Sequence, residues 1–420
     1  MYTISTLPNG MRTVGEPVSH YRSAALGVWV GIGSMHEGER EHGLSHLIEH
    51  MVFKGTTHRS ARELASVMDG VGGNLNAYTA KECTCFYVRV VDEHIPLAVD
   101  VLRDLTCNPA FDAAALEMEK QVVLEEIAMV EDTPEDLVSE LLVSAYYNDH
   151  NLGKPILGLA EEIRSYTRED VLAYYNKHYR PENFVFATAG HYDEGQLTGL
   201  LNQHFSACGQ AGEKVVVPAY VHDGQPRASI RKKNIEQLHI SIGFRGVPRG
   251  DDRLYPMLVL NNILGGGMSS RLFQRIREER GLVYSVYTYP SSFVDSGMFA
   301  IYAGLNPANV GTAMEIIRQE LDAMRQGSIT EEEFTRAREQ LKGGYILGLD
   351  GVSSRMSDMG KSLLLNNVIR TEDEVLAKIA AVTPQDVADV ARFIFDERYR
   401  AASAVGKLPA RKNMETLLLG

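Results

Sequence analysis

The sequence predicts an α+β protein of two homologous domains, each an antiparallel sheet with helices packed on it. Three observations predict this. The 420 residues exceed what one core organises, and a composition of 44 % hydrophobic and 23 % charged residues is that of an ordinary globular chain. Short strand-like runs are interleaved with longer stretches of helical period in both halves. One pattern also recurs. Thr167-x-x-Asp170-Val171 opens a helix followed by a strand ending at Gly190, and Thr383-x-x-Asp386-Val387 does the same ahead of Gly406, with an offset of 216 residues throughout. In both copies the threonine can cap the helix, with an acid three residues on.

Element by element, residues 23–34 (SAALGVWVGIGS) alternate and are rich in strand formers, and a helix is expected from about Leu44 to Phe53. Residues 74–90 read as two strands interrupted near Lys81 and Glu82. Helices follow at about 94–105, 112–131 and 134–147, and 184–190 (FVFATAG) is a strand. Residues 206–227 are rich in Gly, Ala and Pro with few periodic apolar positions. That sets a linker at 209–227 between a first domain, 1–208, and a second, 228–420. The second half restarts with strands at 228–232 and 238–244, helices at 253–264 and 270–280, strands at 282–289 and 297–303, then helices to about residue 397.

Charge and cysteine usage narrow the function classes. Lys and Arg total 42 against 55 Asp and Glu, a net charge of −13 with no basic run, which excludes an electrostatic nucleic-acid footprint. The simplest role of that charge is solubility; the sharper one is an acidic surface favouring basic peptides. None of the four cysteines forms a CxxC motif, and so few fit reduced thiols in a reducing compartment. Cys83 and Cys85 are two apart in a strand-like run and face one way. The opening MYTISTLPNGMRTV lacks a basic segment followed by an apolar core, and no apolar run reaches the ~20 residues of a membrane helix. A cytoplasmic protein is expected.

The chemistry concentrates in Gly43-Leu44-Ser45-His46-Leu47-Ile48-Glu49-His50-Met51. His46 and His50, four apart, share one helix face and can bind a single Zn²⁺ at ~2.0–2.1 Å. Glu49 lies beside that face and can reach the attacking water, in the arrangement H-x-x-E-H. A catalytic zinc takes three protein ligands and leaves one position open. The stretch 112–131 (DAAALEMEKQVVLEEIAMVE) supplies the third, because Glu119, Val122, Val123, Glu126, Ile127 and Val130 fall on one helical stripe. Carboxylates in an apolar stripe are costly unless paired. Glu126 completes the site, and Glu119, one heptad earlier, is placed to orient a ligand histidine. Glu125 points ~100° away. Such a histidine pair also occurs on ordinary helix faces, and Glu125-Glu126 alone would suit a solvated one; the combination favours the metal.

At these residues the sequence resembles the pitrilysin/insulinase family of zinc peptidases, most closely the β-subunit of mitochondrial processing peptidase and its bacterial relatives. The run His46-Leu-Ile-Glu49-His50-Met-Val-Phe53-Lys-Gly-Thr56 looks like the family signature, and the likeness covers essentially the whole chain. The resemblance implies an endopeptidase with one Zn²⁺ per chain, acting on unstructured peptides or presequence-like segments, with Glu49 as general base. It implies that Asn76, Ala77 and Tyr78 lie on an edge strand to which an extended substrate adds. Phe53 would line the pocket for the residue after the cut, or else pack in the core. Asp136 and Glu140 would receive an arginine before the cut, although Asp136 also suits the N3 position of a cap begun by Thr133-Pro134. Arg277 and Tyr284 would hold the substrate or the tetrahedral intermediate, with a surface ion pair as the alternative for Arg277. A homodimer enclosing a chamber is implied, the Arg277/Tyr284 pair serving the partner subunit's zinc. The 216 offset maps His46, His50 and Glu126 near Asn262, Gly266 and Lys342, so the second half is expected to be non-catalytic. The competing function is a non-catalytic peptide-binding or assembly subunit.

Overall fold

A computed structural model describes residues 2–206, 208, 217–408 and 411–420. In chain order the first half runs β1 (Thr3–Thr6), β2 (Arg12–Pro17), β3 (Ser23–Val30), α1 (Leu44–Val52), α2 (Ala61–Asp69), β4 (Asn74–Thr79), β5 (Thr84–Val91), α3 (Ile95–Cys107), α4 (Ala113–Asp132), α5 (Pro134–Tyr147), α6 (Ala160–Ser165), α7 (Arg168–His178), β6 (Phe184–Gly190) and α8 (Glu194–Phe205). The second half runs β7 (Arg227–Lys232), β8 (Leu238–Arg245), α9 (Leu254–Leu264), a π-helical segment (Phe273–Glu278), β9 (Val283–Ser292), β10 (Gly297–Leu305), α10 (Val310–Arg325), α11 (Glu331–Gly348), α12 (Val352–Asn366), α13 (Glu372–Ala381), α14 (Pro384–Ile394), β11 (Ala401–Gly406) and α15 (Arg411–Leu419). The expected interruption at Lys81 and Glu82 is the turn between β4 and β5. Both threonine caps form: Thr167 and Thr383 accept from the N–H of Asp170 and Asp386, whose carboxylates bond back.

The chain divides into two compact units, 1–127 with 154–217 and 348–369, and 128–153 with 218–347 and 370–420. Against the expected domains, 1–208 and 228–420, these units exchange the segments 128–153 and 348–369. Of the expected linker, residues 209–216 lie outside the described residues, and β7 already begins at Arg227.

In the first unit the sheet order is β1-β2-β6-β3-β5-β4. One face carries a core built from β3, β5, β6, α1, α3, α7 and α8, which includes Leu26, Val28, Leu47, Phe86, Leu102 and Phe186. The opposite face, with Ala25, Trp29, Cys85, Val185 and Ala187, is covered by α12 through Val352, Met356, Met359 and Leu363. Gly360 permits that approach, since a Cβ there would lie within 3 Å of the Trp29 indole.

In the second unit the order is β7-β11-β8-β10-β9. Its main core gathers β8, β10, α9, α10 and α14, and its other face is covered by α5, where Leu137 and Val138 pack with Tyr302 and Val405. Each sheet thus takes the helix on its second face from the other half of the sequence, and that is why the units are discontinuous. Both sheets are antiparallel-rich rather than wholly antiparallel: β2 runs parallel to β6, and β7 to β11. These partners meet only after the intervening helices, a crossover of the kind parallel pairing requires.

The duplication reaches further than the caps. In the first unit Arg59 pairs with the buried carboxylate of Asp104 at 2.8 Å. In the second, Arg275 pairs with buried Glu320. Both members are displaced by the same 216 residues.

The cysteines need a correction. Cys83 and Cys85 are free, buried on the α12-covered face as their spacing predicts, but Cys107 at the end of α3 is disulfide-bonded to Cys208 just beyond α8. The pair closes a separation of 101 residues, long enough for a cross-link to restrict the unfolded chain strongly. Cys107→Ser is expected to remove about 2–4 kcal/mol. Non-reducing thermal scans should show the first unit's midpoint lowered by roughly 5–10 °C. A wild-type midpoint indifferent to reductant would count against the bond. No helix among the described residues is long and apolar enough to cross a membrane.

Candidate metal centre

Helix α1 presents the histidines because its apolar and polar residues separate. Leu44, Leu47, Ile48, Met51 and Val52 enter the core, which turns His46, Glu49 and His50 to the opposite, half-buried face. The helix has no side-chain cap of its own. Gly43 stands at its N-cap with φ +91°, where a Cβ would strike Gly158 and the Leu157 carbonyl. Buried Glu37 takes over the capping: its carboxylate accepts from the N–H groups of Gly43 and Ser45, both at 2.8 Å. Burial pushes that carboxyl up to about 8, while the two N–H bonds act the other way.

Three side chains converge in the first unit. The His46 and His50 rings lie 4.6 Å apart, centroid to centroid. His46 Nε2 is 3.6 Å from one Glu126 oxygen and His50 Nε2 is 3.7 Å from the other. Among the described residues this is the one group of three or more potential ligands whose donor atoms all lie within 4.8 Å of one another. Those gaps are too long for hydrogen bonds. They approach the ~3.4 Å edge of a tetrahedron with ~2.1 Å bonds, so the donors suit an ion among them better than one another.

Protonation agrees with that reading. Burial, then the charge of His50, holds His46 down to about 4, which keeps it neutral at pH 7 as ligation requires. His50 Nδ1 is 3.0 Å from Glu119, which leaves Nε2 free to face Glu126. Glu119 is only 5 % exposed, and its other oxygen meets Lys54 Nζ at 2.6 Å. Val122, expected on the same stripe, is instead exposed; it falls at the stripe's edge, so the buried face of α4 is narrower than the sequence suggests. Glu125 is exposed, as expected.

Glu49 reaches toward β4. Thr79 Oγ1 donates to its carboxylate at 2.5 Å. Burial raises the Glu49 carboxyl, and the Thr79 bond opposes the rise. Strand β4 ends the sheet, paired on one side with β5 through Asn76–Tyr87, Ala77–Phe86 and Tyr78–Cys85. Asn76 and Tyr78 are exposed, and the Tyr78 ring sits edge-on to Trp29 at 5.9 Å. Phe53, the residue after α1, is half-buried against the main core.

The remaining expected residues belong to the second unit. Asp136 is exposed on α5 and Glu140 is half-buried. Thr133 occupies the N-cap position but makes no capping bond, because its hydroxyl turns back to the Met129 carbonyl at 2.8 Å. Arg277 lies over the Phe273 and Tyr284 rings at 4.8 and 5.8 Å, and Tyr284 is 73 % exposed. No ion pair to Arg277 occurs among the described residues. Asn262 on α9 donates to the Ala337 carbonyl.

Sequence reasoning missed Thr79, Glu37 and Lys54. Thr79 carried a faint signal, since alternation puts it on the face of β4 that also holds Leu75 and Ala77. Lys54, four residues after His50, carried another; Glu37 carried none.

Comparison with known proteins gives the lineage. Residues 14–159 match the family model described as insulinase (peptidase family M16), and residues 165–341 match that of the peptidase M16 inactive domain. A zinc protease of Bacillus subtilis, YmxG, is 41 % identical over 407 residues, covering 96 % of this chain and 99 % of that one. A zinc protease of Streptomyces coelicolor is 40 % identical over 410 residues, covering 96 % and 89 %. A protease structure from Helicobacter pylori superposes with a TM-score of 0.91 at 20 % identity, covering 97 % of this chain and 99 % of that one. From sequence match and shared architecture together, the chain belongs to peptidase family M16, the pitrilysin/insulinase family of zinc peptidases.

Proposed function

We propose that this chain is a zinc-dependent endopeptidase that hydrolyses unstructured peptides or presequence-like segments, with His46, His50 and Glu126 as ligands to one zinc. The observation that carries the proposal is the convergence of those three donors, with His50 backed by Glu119. When bound, zinc would supply Lewis acidity, acidifying water and polarising the scissile carbonyl. Glu49 takes the proton of the attacking water and delivers it to the departing amine, and a carboxyl raised by burial is better matched to that task near neutral pH. Glu119 fixes the orientation of His50. The free edge of β4, at Asn76, Ala77 and Tyr78, receives the substrate backbone as an added strand, with Phe53 beside the residue after the cut.

The proposal extends to the second domain, part of which the inactive-domain model matches, as a non-catalytic partner. Arg277 and Tyr284 hold the developing oxyanion at the partner subunit's zinc, and Asp136 and Glu140 on α5 receive a basic residue before the cut. A homodimer enclosing a chamber is the assembly we propose.

Digestion of a mixed, unstructured peptide pool tests this. Zinc-loaded protein is expected to cleave, to stop when the metal is stripped, and to recover when zinc is restored. Sedimentation of the same sample should give a dimer; a monomer that cleaves would remove the chamber. Absence of cleavage by fully loaded protein would favour the peptide-binding or assembly subunit.

A further inference from the structure

We propose that Thr79 is a positioning residue that holds the Glu49 carboxylate in its working orientation and ties it to the edge strand β4. The inference rests on Glu49 acting as the base. Among the described residues, the side-chain hydrogen bond to Glu49 comes from Thr79 Oγ1 at 2.5 Å.

The placement follows from strand geometry. Thr79 is the last residue of β4, and alternation puts it with Leu75 and Ala77 on the half-buried side. That side packs against α1, the helix carrying Glu49. Asn74, Asn76 and Tyr78 take the opposite, exposed side. A β-branched threonine on a strand has little χ1 freedom, so its hydroxyl is aimed by the backbone. Glutamate, by contrast, has a long side chain with rotamer freedom to lose. The Thr79 bond falls on one of the two carboxylate oxygens, which fixes the orientation of the other as well. Because the anchor is at the end of the strand whose outer edge is open, whatever pairs with that edge also steadies the residue that aims the base.

Three variants test the inference, each assayed with zinc content and thermal midpoint measured. Thr79→Val keeps the shape and removes the hydroxyl. It is expected to lower kcat roughly 10- to 100-fold with KM within about twofold and zinc unchanged. Thr79→Ser restores the hydroxyl and is expected to recover kcat to within about threefold. Crystal structures give a readout that needs no turnover: Glu49 should leave its wild-type position in Thr79→Val and return to it in Thr79→Ser. Wild-type kcat with an unmoved Glu49 in Thr79→Val overturns the inference, and so does a serine variant as impaired as the valine. Glu49→Gln separates the two readings. If it retains turnover, the base assignment falls by itself, and the position of Glu49 in the Thr79→Val crystal still decides whether Thr79 holds it.

Discussion

Glu49→Gln is expected to reduce kcat by roughly 10²–10⁴-fold, the range of a lost general base, while zinc content stays at the wild-type level. The substitution is nearly isosteric, and a glutamine carbonyl oxygen can still accept the Thr79 hydroxyl, so the local geometry survives. What disappears is the ability to take a proton. Elemental analysis of both proteins beside a peptide-cleavage assay makes the distinction. Turnover retained at full zinc would mean that another group moves the proton. Zinc lost together with turnover would make Glu49 a structural member of the site.

The second large effect concerns the ligands. Glu126→Ala removes one of three donors and is expected to leave the protein largely without metal at concentrations where wild type is loaded, with cleavage abolished. Glu119→Gln keeps all three donors but weakens the acceptor facing His50 Nδ1, so its cost is smaller, about 10- to 100-fold in zinc affinity. Competition with a chromogenic chelator ranks the three proteins. The order wild type, Glu119→Gln, Glu126→Ala is expected; Glu126→Ala binding like wild type would exclude Glu126 as a ligand. Lys54 complicates Glu119→Gln in a readable way, because removing the carboxylate's charge also leaves the lysine without its counter-ion. Lys54→Met in that background separates the contributions.

Much of the candidate site was legible because its signal is local. Four-residue spacing puts His46 and His50 on one face, and seven-residue spacing puts Glu119 and Glu126 on another; helix geometry does the rest. The duplication was legible as a fixed offset. What stayed hidden depends on where distant segments meet. Helical period says that α5 and α12 each have an apolar face, but not which sheet it covers. The Cys107–Cys208 bond depends on α3 and α8 ending side by side, which a count of four cysteines does not encode. Strand β1 was missed because it is exposed throughout and shows no buried alternation, and β2 because its two buried residues, Thr13 and Val14, are adjacent rather than alternating. Helix α2 was missed despite a complete Ser60–Glu63 capping box that could have announced it.

The exchanged helices have a consequence for how this chain can be divided. A fragment stopped in the connector near residue 217 would contain every strand of the first sheet yet lack α12, so Trp29 and its neighbours would face water. The same fragment would carry α5 with no sheet beneath it. Two such half-length polypeptides are each incomplete and mutually complementary. Dividing the chain there therefore strips each sheet of the helix that covers its second face and leaves that helix on the other piece.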